Sequence, residues 1–212
     1  MSETPEHIRR QYRNPRGDDG RAVLEVMNRH HSELWDWGIS NMPDIGKRTV
    51  MDIGCGGGGF LKKLSSRHPD SAFIGVDISE KSLEVTSETN RDLIGDGTLT
   101  LFQASVDNLP VDDCSVDVAT AVETYFFWPD LPKALAEIHR ILSPDGMLFI
   151  ISEMQLREDN AEEMAEVSEL YGTRLVTDGT MLTLLSEAGF EASCTSMPER
   201  GWVLFMALKT PS

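Results

Sequence analysis

The sequence predicts an α/β protein built on a doubly wound, largely parallel sheet. From Thr49 onward, apolar segments of strand length alternate with segments of helical periodicity, and their connections suit right-handed βαβ crossovers. A turn with five glycines, within residues 54–59, joins the first of these strands to a helix. The last two apolar segments are joined by a short connection containing Pro198 and Gly201, which predicts a closing antiparallel hairpin.

Composition indicates one domain and disfavours several kinds of partner. The chain has 212 residues, of which 40% are hydrophobic and 25% charged, enough apolar mass for a single core. Its net charge of −16 disfavours a nucleic-acid partner, because phosphate binding depends on Lys and Arg. No apolar run approaches the roughly 18 residues of a membrane span, and the N-terminus has no signal-peptide core. We therefore expect a cytoplasmic protein without a membrane span.

The cysteines predict neither disulfides nor a metal site. Cys55, Cys114 and Cys194 are odd in number, lie far apart and show no CxxC spacing. Such usage fits a reducing compartment and provides no set of zinc ligands. We therefore expect no metal ligands in this chain.

The N-terminal part is predicted to be an arm and a helix, residues 1–48, within the same domain as residues 49–212. Residues 1–17 are polar and Arg-rich and contain Pro and Gly, which predicts irregular structure. A single helix is predicted over residues 18–37, with His30 on its core-facing stripe.

The remaining elements follow from hydrophobic periods of two for strands and 3.6 for helices. Strands are predicted at residues 49–53, 72–76, 98–103, 116–122, 146–152, 190–196 and 202–208. Helices are predicted at residues 58–67, 80–93, 131–142, 160–171 and 178–189. Residues 153–169 carry seven acids against one Arg. We interpret them as a solvated helix face, with an electrostatic collar for a cationic substrate as the alternative.

The glycine turn fits a nucleotide-like cofactor, and the residue before it discriminates between cofactors. Residues 54–59 satisfy GxGxxG, the dinucleotide pattern. Asp52, at the end of the first strand, would repel a pyrophosphate but suits a cofactor that offers an ammonium. Asp77, at the end of the second strand, can accept hydrogen bonds from both hydroxyls of a ribose. S-adenosylmethionine (SAM), which has an amino-acid end, a nucleoside and no phosphate, fits both acids.

Both acids also have structural alternatives. Asp52 can hydrogen-bond the backbone amides of the turn instead of a ligand. Asp77 can cap the helix that follows it, although Ser79 is already a competent N-cap. We favour the cofactor role for each acid, and the structural roles stay open at this point.

Ordered motifs along the chain resemble those of the class I SAM-dependent methyltransferases. They are VMDIGCGGGGF, GVDIS, QASVDNLP and VDVATAVETYFFWPDLPKALAEIHRILSPDGMLFII. The resemblance covers roughly residues 49–151 and, more loosely, the C-terminal hairpin, and it is nearest to the group that methylates small molecules. It implies a Rossmann-like sheet of seven strands in the order 3-2-1-4-5-7-6, with strand seven antiparallel and an N-terminal helical lid. It also implies SAM as cofactor and a small-molecule methyl acceptor of unspecified identity.

The resemblance assigns the methionine end of the cofactor to the turn. Asp52, Gly54 and Gly56 would line this end, with Cys55 between the two glycines. The glycines bring bare backbone to the ligand, which no other residue type can do as closely.

The adenosine end is assigned to the next two motifs. The resemblance places Asp77 at the ribose and Ile78 against the adenine ring. Many relatives carry an Asp where this chain has Ser105, and that acid meets the adenine amino group. In this chain Ser105, the backbone of Val106 or Asp107 must serve instead.

Three candidate catalytic residues fall where the acceptor is expected, beyond the carboxyl ends of strands one, four and five. Glu123 ends strand four, and Tyr125 follows it in a run of four aromatics, residues 125–128. These aromatics either form a pocket wall or only fasten the loop to the core. His31, on the N-terminal helix, can deprotonate or orient a substrate, with a solvated or core-satisfied histidine as the alternative. We hypothesise that His31 and Glu123 converge near the transferred methyl group.

Other functions stay open from the sequence alone. An NAD(P)-dependent oxidoreductase would use the same turn for a pyrophosphate. A methyltransferase of protein or RNA is disfavoured by the acidic charge and by VETY after strand four, where an NPPY-type tetrad would stand. A non-catalytic module that keeps the fold and binds partners is a further alternative. The oligomeric state is also open, with a homodimer as one alternative.

Overall fold

A mixed seven-stranded sheet organises the chain in a computed structural model that describes residues 4–210. The strand order is β3-β2-β1-β4-β5-β7-β6, and only the pairings made by β7 are antiparallel. The strands are β1 Thr49–Ile53, β2 Ala72–Asp77, β3 Leu99–Gln103, β4 Val116–Val122, β5 Leu142–Ser152, β6 Phe190–Met197 and β7 Trp202–Lys209. The predicted fold class, order and closing hairpin are confirmed, and β5 begins four residues earlier than predicted.

Helices cover both faces of the sheet, so the central strands are buried along nearly their whole length. The α-helices are α1 Glu6–Arg9, α2 Gly17–His30, α3 Ser32–Asn41, α4 Gly59–Arg67, α5 Glu80–Thr89, α6 Arg91–Gly95, α7 Leu131–Ile141, α8 Ala161–Tyr171 and α9 Asp178–Glu187. Four short 3₁₀ helices lie at Arg10–Tyr12, Tyr125–Phe127, Glu158–Asn160 and Pro198–Arg200. The acids of α8 are exposed, as expected for a solvated face. None of the helices between residues 4 and 210 has the length and apolarity of a bilayer span.

The N-terminal region differs from the prediction in two ways. The arm, expected to be irregular, contains α1 and the 3₁₀ turn that follows it; residues 1–3 lie outside the described part of the chain. The single helix expected over residues 18–37 is broken at His31, which has non-helical backbone angles (φ −82°, ψ 3°). Two helices, α2 and α3, result.

The predicted burial of His30 is wrong, and its neighbour His31 is the buried histidine. The side chain of His30, predicted to face the core, is 66% exposed, whereas His31 is 8% exposed. Val26, which shares the predicted stripe with His30 inside α2, is also exposed (49%), whereas Leu24 is buried, so the buried face of α2 is shifted toward Leu24. Leu34 and Trp35 of α3 then pack against the core.

The sheet brings four acidic residues to one edge. Parallel pairing aligns Asp52 of β1 with Gly75 of β2 and with Thr120 of β4. Asp77 closes β2, and Glu123 and Glu153 directly follow β4 and β5. The carboxyl ends of parallel strands meet at the same edge of an open α/β sheet, which is where such folds bind ligands.

Candidate active site

Two adjoining cavities lie at the carboxyl edge of the sheet. The first cavity, of about 210 Å³, lies between the glycine turn, the end of β2 and the segment after β3, and the arm and α2 cover it. Its lining comprises Tyr12, Arg13, Pro15, Leu24, Met27, Ile53, Gly54, Gly56, Val76, Asp77, Ile78, Ser82, Ala104, Ser105, Val106, Val122, Glu123, Thr124, Phe127, Trp128 and Pro129. The expected lid is therefore formed by α2 together with the arm.

The glycine turn is held against β2 and packed tightly on its other sides. The amides of Gly54 and Cys55 both donate to the carbonyl of Val76, at 2.7 and 3.0 Å. Gly54 has a φ of +77°, and a Cβ built there would lie 2.9 Å from the Cβ of Thr124 and closer still to its hydroxyl. Most glycines of the turn are thus required by close contacts with neighbouring protein atoms and not by contact with a ligand.

Gly56 is the exception in this turn. Its φ is +53°, and the nearest side-chain atom to a Cβ built there is Cδ2 of Leu24, at 3.8 Å. Gly56 lines the first cavity, so its backbone is accessible from inside. This position leaves the room that a bound group needs.

Asp77 ties the turn to the second strand. Its Oδ2 accepts the amide of Gly56 at 3.0 Å, and its Oδ1 accepts the amide of Ser79 at 2.8 Å. Ser79 in turn caps α5 by accepting the amide of Ser82. Burial raises the pKa of Asp77, and the hydrogen bonds from the backbone lower it by less. Asp77 therefore has a structural role and also lines the first cavity.

Asp52 is buried and bonded to a neighbouring strand. It is 2% exposed, and its Oδ1 accepts the hydroxyl of Thr120 at 2.7 Å. Burial raises the pKa of Asp52 to about 7, the Thr120 hydrogen bond lowers it, and the charge of Asp77 raises it further. The turn amides bond to Val76 and Asp77, not to Asp52. Asp52 lines a narrow extension of about 40 Å³ between the turn and α2.

Cys55 contributes its backbone to the turn, while its thiol is part of the core. Sγ lies 3.7 Å from the hydroxyl of Thr86, and burial raises the pKa of the thiol well above its usual value. Gly75 of β2 is glycine partly because a Cβ there would lie 3.2 Å from this sulfur. The side chain of Cys55 is therefore a packing element.

The residues assigned to the adenosine end lie together at the far wall of the first cavity. Ile78, Ser105 and Val106 all line it. Val106 is buried, whereas Ile78 is 46% exposed, which is unusual for a large apolar side chain next to a cavity. The structure thus places six of the eight predicted cofactor residues in the first cavity, while Asp52 and Cys55 line only the narrow extension beside it.

The second cavity, of about 360 Å³, lies between α2, α8 and the segments after β4 and β5. Its lining comprises Tyr12, Val26, Met27, His30, His31, Glu123, Phe126, Phe127, Glu153, Met154, Val167, Tyr171 and Thr173. Most of these side chains are apolar or aromatic. The buried hydroxyl of Thr173 has no hydrogen-bond partner among the residues that the structure describes.

Glu123 stands where the two cavities meet. It lines both of them as well as the narrow extension beside Asp52. Its φ of +55° is unusual for a residue with a side chain, and such strain is concentrated at functional sites. Its Oε1 accepts the amide of Glu153 at 2.6 Å. Burial raises the pKa of Glu123 to about 7, although the charge of His31 lowers it.

His31 and Glu123 lie in the same cavity, while Tyr125 does not. Burial lowers the pKa of His31, but the carboxylates of Glu153 and Glu123 outweigh burial and leave this pKa raised. Tyr125 is 3% exposed, and burial raises its pKa well above the usual value. It lines a different groove, and Phe127, which belongs to the same 3₁₀ turn, faces both cavities instead. The structure thus joins His31 to Glu123 and separates Tyr125 from them.

Glu153 also lies at this candidate site, although in the sequence it stands out only as part of an acidic run. Its Oε1 lies 3.4 Å from Nε2 of His31 and 3.3 Å from Nε2 of His30. Burial raises the pKa of Glu153, but its contacts with His31 outweigh burial, and its pKa is lowered. Its position immediately after a predicted strand is the sequence feature that places Glu153 near the other acids at the carboxyl edge of the sheet.

Known proteins match this chain in sequence. Residues 51–150 match the family model described as a methyltransferase domain. The Bacillus subtilis (strain 168) protein YdaC, described as an uncharacterized methyltransferase, is 25% identical over 78% of this chain and 84% of YdaC. An O-methyltransferase of Pyrenophora dematioidea is 29% identical over 80% of this chain and 60% of its own length. The phthiotriol/phenolphthiotriol dimycocerosates methyltransferase of Mycobacterium tuberculosis (strain ATCC 25618 / H37Rv) is 30% identical, but the chain spans only 42% of it.

Solved structures match in fold. A chain from the complex of the Haloferax volcanii Trm112 methyltransferase activator with a protein described as a methyltransferase aligns over 99% of this chain and 100% of its own, with a TM-score of 0.81 and 18% identity. The geranyl diphosphate C-methyltransferase of Streptomyces coelicolor A3(2), in complex with Mg²⁺, geranyl diphosphate and S-adenosyl-L-homocysteine, aligns with a TM-score of 0.77 and 15% identity, over 99% of this chain and 100% of its own.

The fold is that of the Rossmann-like methyltransferases. The resemblance to the class I SAM-dependent methyltransferases is confirmed, because residues 51–150 match the methyltransferase-domain model and the sheet has the expected strand order.

Proposed function

We propose that the protein is a SAM-dependent methyltransferase that acts on a small-molecule acceptor. The observation that carries the proposal is the meeting of two cavities at Glu123, one lined by the cofactor motifs and one lined mainly by apolar side chains. A methyl transfer needs such an arrangement, because donor and acceptor must approach in line from opposite sides.

The first cavity is proposed to hold SAM, whose sulfonium makes the methyl group transferable. Asp52 would face the ammonium, Gly56 would offer open backbone beside the methionine part, and Ile78 would pack on the adenine. Asp77 already accepts one amide on each oxygen, and a carboxylate oxygen can accept a second hydrogen bond. It can therefore still bind the ribose hydroxyls.

The residues present fit this ligand. Asp52 is a buried carboxylate with no basic partner among the described residues, an arrangement that an incoming ammonium would relieve. Ile78 is an apolar side chain left half-exposed at the cavity wall, where a planar aromatic ring would cover it. The buried carboxylate of Asp52 would repel a pyrophosphate at the turn, which disfavours the oxidoreductase alternative.

The second cavity is proposed to take the acceptor. Its volume of about 360 Å³ falls in the range of roughly 300–1,000 Å³ typical of small-molecule pockets. The hydroxyl of Thr173 offers one polar contact to a largely apolar ligand. One sequence relative is named as a methyltransferase of phthiotriol/phenolphthiotriol dimycocerosates, which agrees with an acceptor that is neither protein nor nucleic acid.

Binding of S-adenosylhomocysteine tests the cofactor proposal. We expect the protein to bind it in isothermal titration and to show no binding of NAD. Ile78→Ala should weaken binding of S-adenosylhomocysteine roughly 5- to 10-fold, because about 1 kcal/mol of apolar contact with the adenine is lost.

Leu208→Ala is the matched control for this experiment, because Leu208 is similarly exposed (41%) but lies on β7 away from both cavities. It should leave the affinity for S-adenosylhomocysteine unchanged. Tighter binding of NAD than of S-adenosylhomocysteine would contradict the proposal, and equal effects of the two variants would contradict the role of Ile78.

Glu123→Gln is expected to lower the turnover rate about 100-fold, the scale of a positioned acid–base group, while the affinity for S-adenosylhomocysteine changes little. The amide oxygen of Gln can still accept the amide of Glu153, so the local fold is kept. A screen of small-molecule acceptors scored by release of S-adenosylhomocysteine supplies the substrate. Glu187→Gln, on the exposed face of α9, is the control. Full activity of both Glu123→Gln and His31→Ala would refute our hypothesis for these two residues.

A further inference from the structure

His30, His31 and Glu153 bring three potential metal ligands together at the wall of the second cavity. Nε2 of His30 and Nε2 of His31 lie 3.3 and 3.4 Å from the same oxygen, Oε1 of Glu153, and all three atoms are within 4.8 Å of one another. Both separations exceed the roughly 2.7–3.2 Å of an N–H···O hydrogen bond. The two imidazole nitrogens and the carboxylate oxygen thus form a compact cluster whose contacts are longer than ordinary hydrogen bonds.

The two N···O separations match the edges of a metal coordination sphere, and the two imidazole nitrogens lie within 4.8 Å of each other. Donor atoms bound at about 2.0–2.1 Å to a tetrahedral Zn²⁺ are about 3.3–3.4 Å apart. Two imidazoles and one carboxylate form a donor set for Zn²⁺ and neighbouring transition metals, whereas Mg²⁺ and Ca²⁺ prefer oxygen ligands. We propose that His30, His31 and Glu153 bind one divalent transition-metal cation of the Zn²⁺ type.

The surroundings of the cluster are prearranged for a cation. The break between α2 and α3 allows two consecutive histidines to approach one carboxylate, and the C-terminal end of α2 contributes a partial negative charge. Glu123 adds a second acid to the cavity, and its bond to the amide of Glu153 fixes the backbone that carries the ligand. The His31 ring packs edge-on against Trp35, with centroids 6.3 Å apart, which restrains its orientation.

The metal would serve acceptor binding. Three protein ligands leave at least one coordination position for water or substrate, as in catalytic zinc sites. All three ligand residues line the second cavity, so the open position is available to a molecule bound there. This step rests on the function proposed above. The acceptor would be a small apolar molecule with an oxygen donor, such as a hydroxyl, that binds the metal.

Titration with Co²⁺ tests the site directly, because tetrahedral Co²⁺ absorbs strongly in the visible and replaces Zn²⁺. The untagged protein, freed of metal with EDTA, should bind one Co²⁺ per chain, and Zn²⁺ should displace it. His30→Ala and Glu153→Gln should each weaken binding by at least the 10- to 100-fold expected from loss of a supporting group. His30 is exposed, so its replacement should not disturb folding.

His68→Ala is the control, because His68 lies beside the carboxylate of Asp44 and lines neither cavity. It should bind Co²⁺ as the unchanged protein does. Absence of saturable Co²⁺ binding, or binding that His30→Ala and Glu153→Gln leave unaltered, would overturn the metal site. S-adenosylhomocysteine binding, measured on the same metal-free protein, judges the proposed function separately, because the first cavity shares none of the three metal ligands.

Discussion

Gly54→Ala is expected to lower the free energy of unfolding by about 2–5 kcal/mol and to abolish measurable binding of S-adenosylhomocysteine. Its φ of +77° costs a residue with a Cβ about 1–2 kcal/mol. The new methyl group would also collide with the side chain of Thr124, and overpacking of this kind adds about 1–3 kcal/mol. Urea unfolding followed by tryptophan fluorescence measures the loss of stability.

Gly97→Ala separates these two costs. Gly97 has nearly the same backbone angle, φ +80°, but a Cβ built there meets no atom within 4 Å among the described residues. The free energy of unfolding of this variant should fall only by the cost of the backbone angle, about 1–2 kcal/mol. Combining Gly54→Ala with Thr124→Ala should recover part of the steric contribution, because the hydroxyl and methyl of Thr124 are removed. Equal destabilisation by Gly54→Ala and Gly97→Ala would show that crowding at the turn is unimportant.

Asp52→Asn is expected to stabilise the ligand-free protein at pH 8 by up to about 4 kcal/mol, since one pKa unit corresponds to about 1.36 kcal/mol. The pKa of Asp52 rises from 3.8 to about 7 on folding, because burial disfavours its charged form. The folded state therefore holds the proton more tightly than the unfolded state. The stability from this group is complete below pH 3.8 and is lost as the pH rises through about 7. Asn carries no charge and avoids that loss.

The same substitution should weaken binding of S-adenosylhomocysteine at pH 8 by roughly 10- to 100-fold, because a charge-assisted contact with the ammonium is worth about 1.5–3 kcal/mol. Unfolding free energies and affinities at pH 5.5 and 8.5 check both effects, and the gain in stability should be smaller at pH 5.5. Asp70→Asn, at an exposed position, is the control. Lower stability at both pH values would contradict the pKa of Asp52, and unchanged affinity would contradict its cofactor role.

The sequence locates the two acids beside the glycine turn but not their hydrogen-bond partners. It placed Asp52 and Asp77 at strand ends beside one turn, and the structure agrees. The structural alternative for Asp52 was a hydrogen bond to the backbone amides of the turn. In the structure Asp77 accepts the amide of Gly56, and Asp52 accepts the hydroxyl of Thr120. Which acid bonds the turn depends on strand pairing across the sheet, and Thr120 is 68 residues away.

By itself, the sequence determined the α/β class, the strands and the closing hairpin, because alternation of apolar residues and turn chemistry are local properties of the chain. The resemblance of its motifs predicted the strand order, which the structure confirms, and the residues that we propose to bind the cofactor. Only the tertiary structure decided that the helix breaks at His31, that His30 is exposed, and that Glu153 approaches both histidines. The reason is that the covered face of a helix, and the partner of a buried charge, are set by contacts between segments distant in sequence.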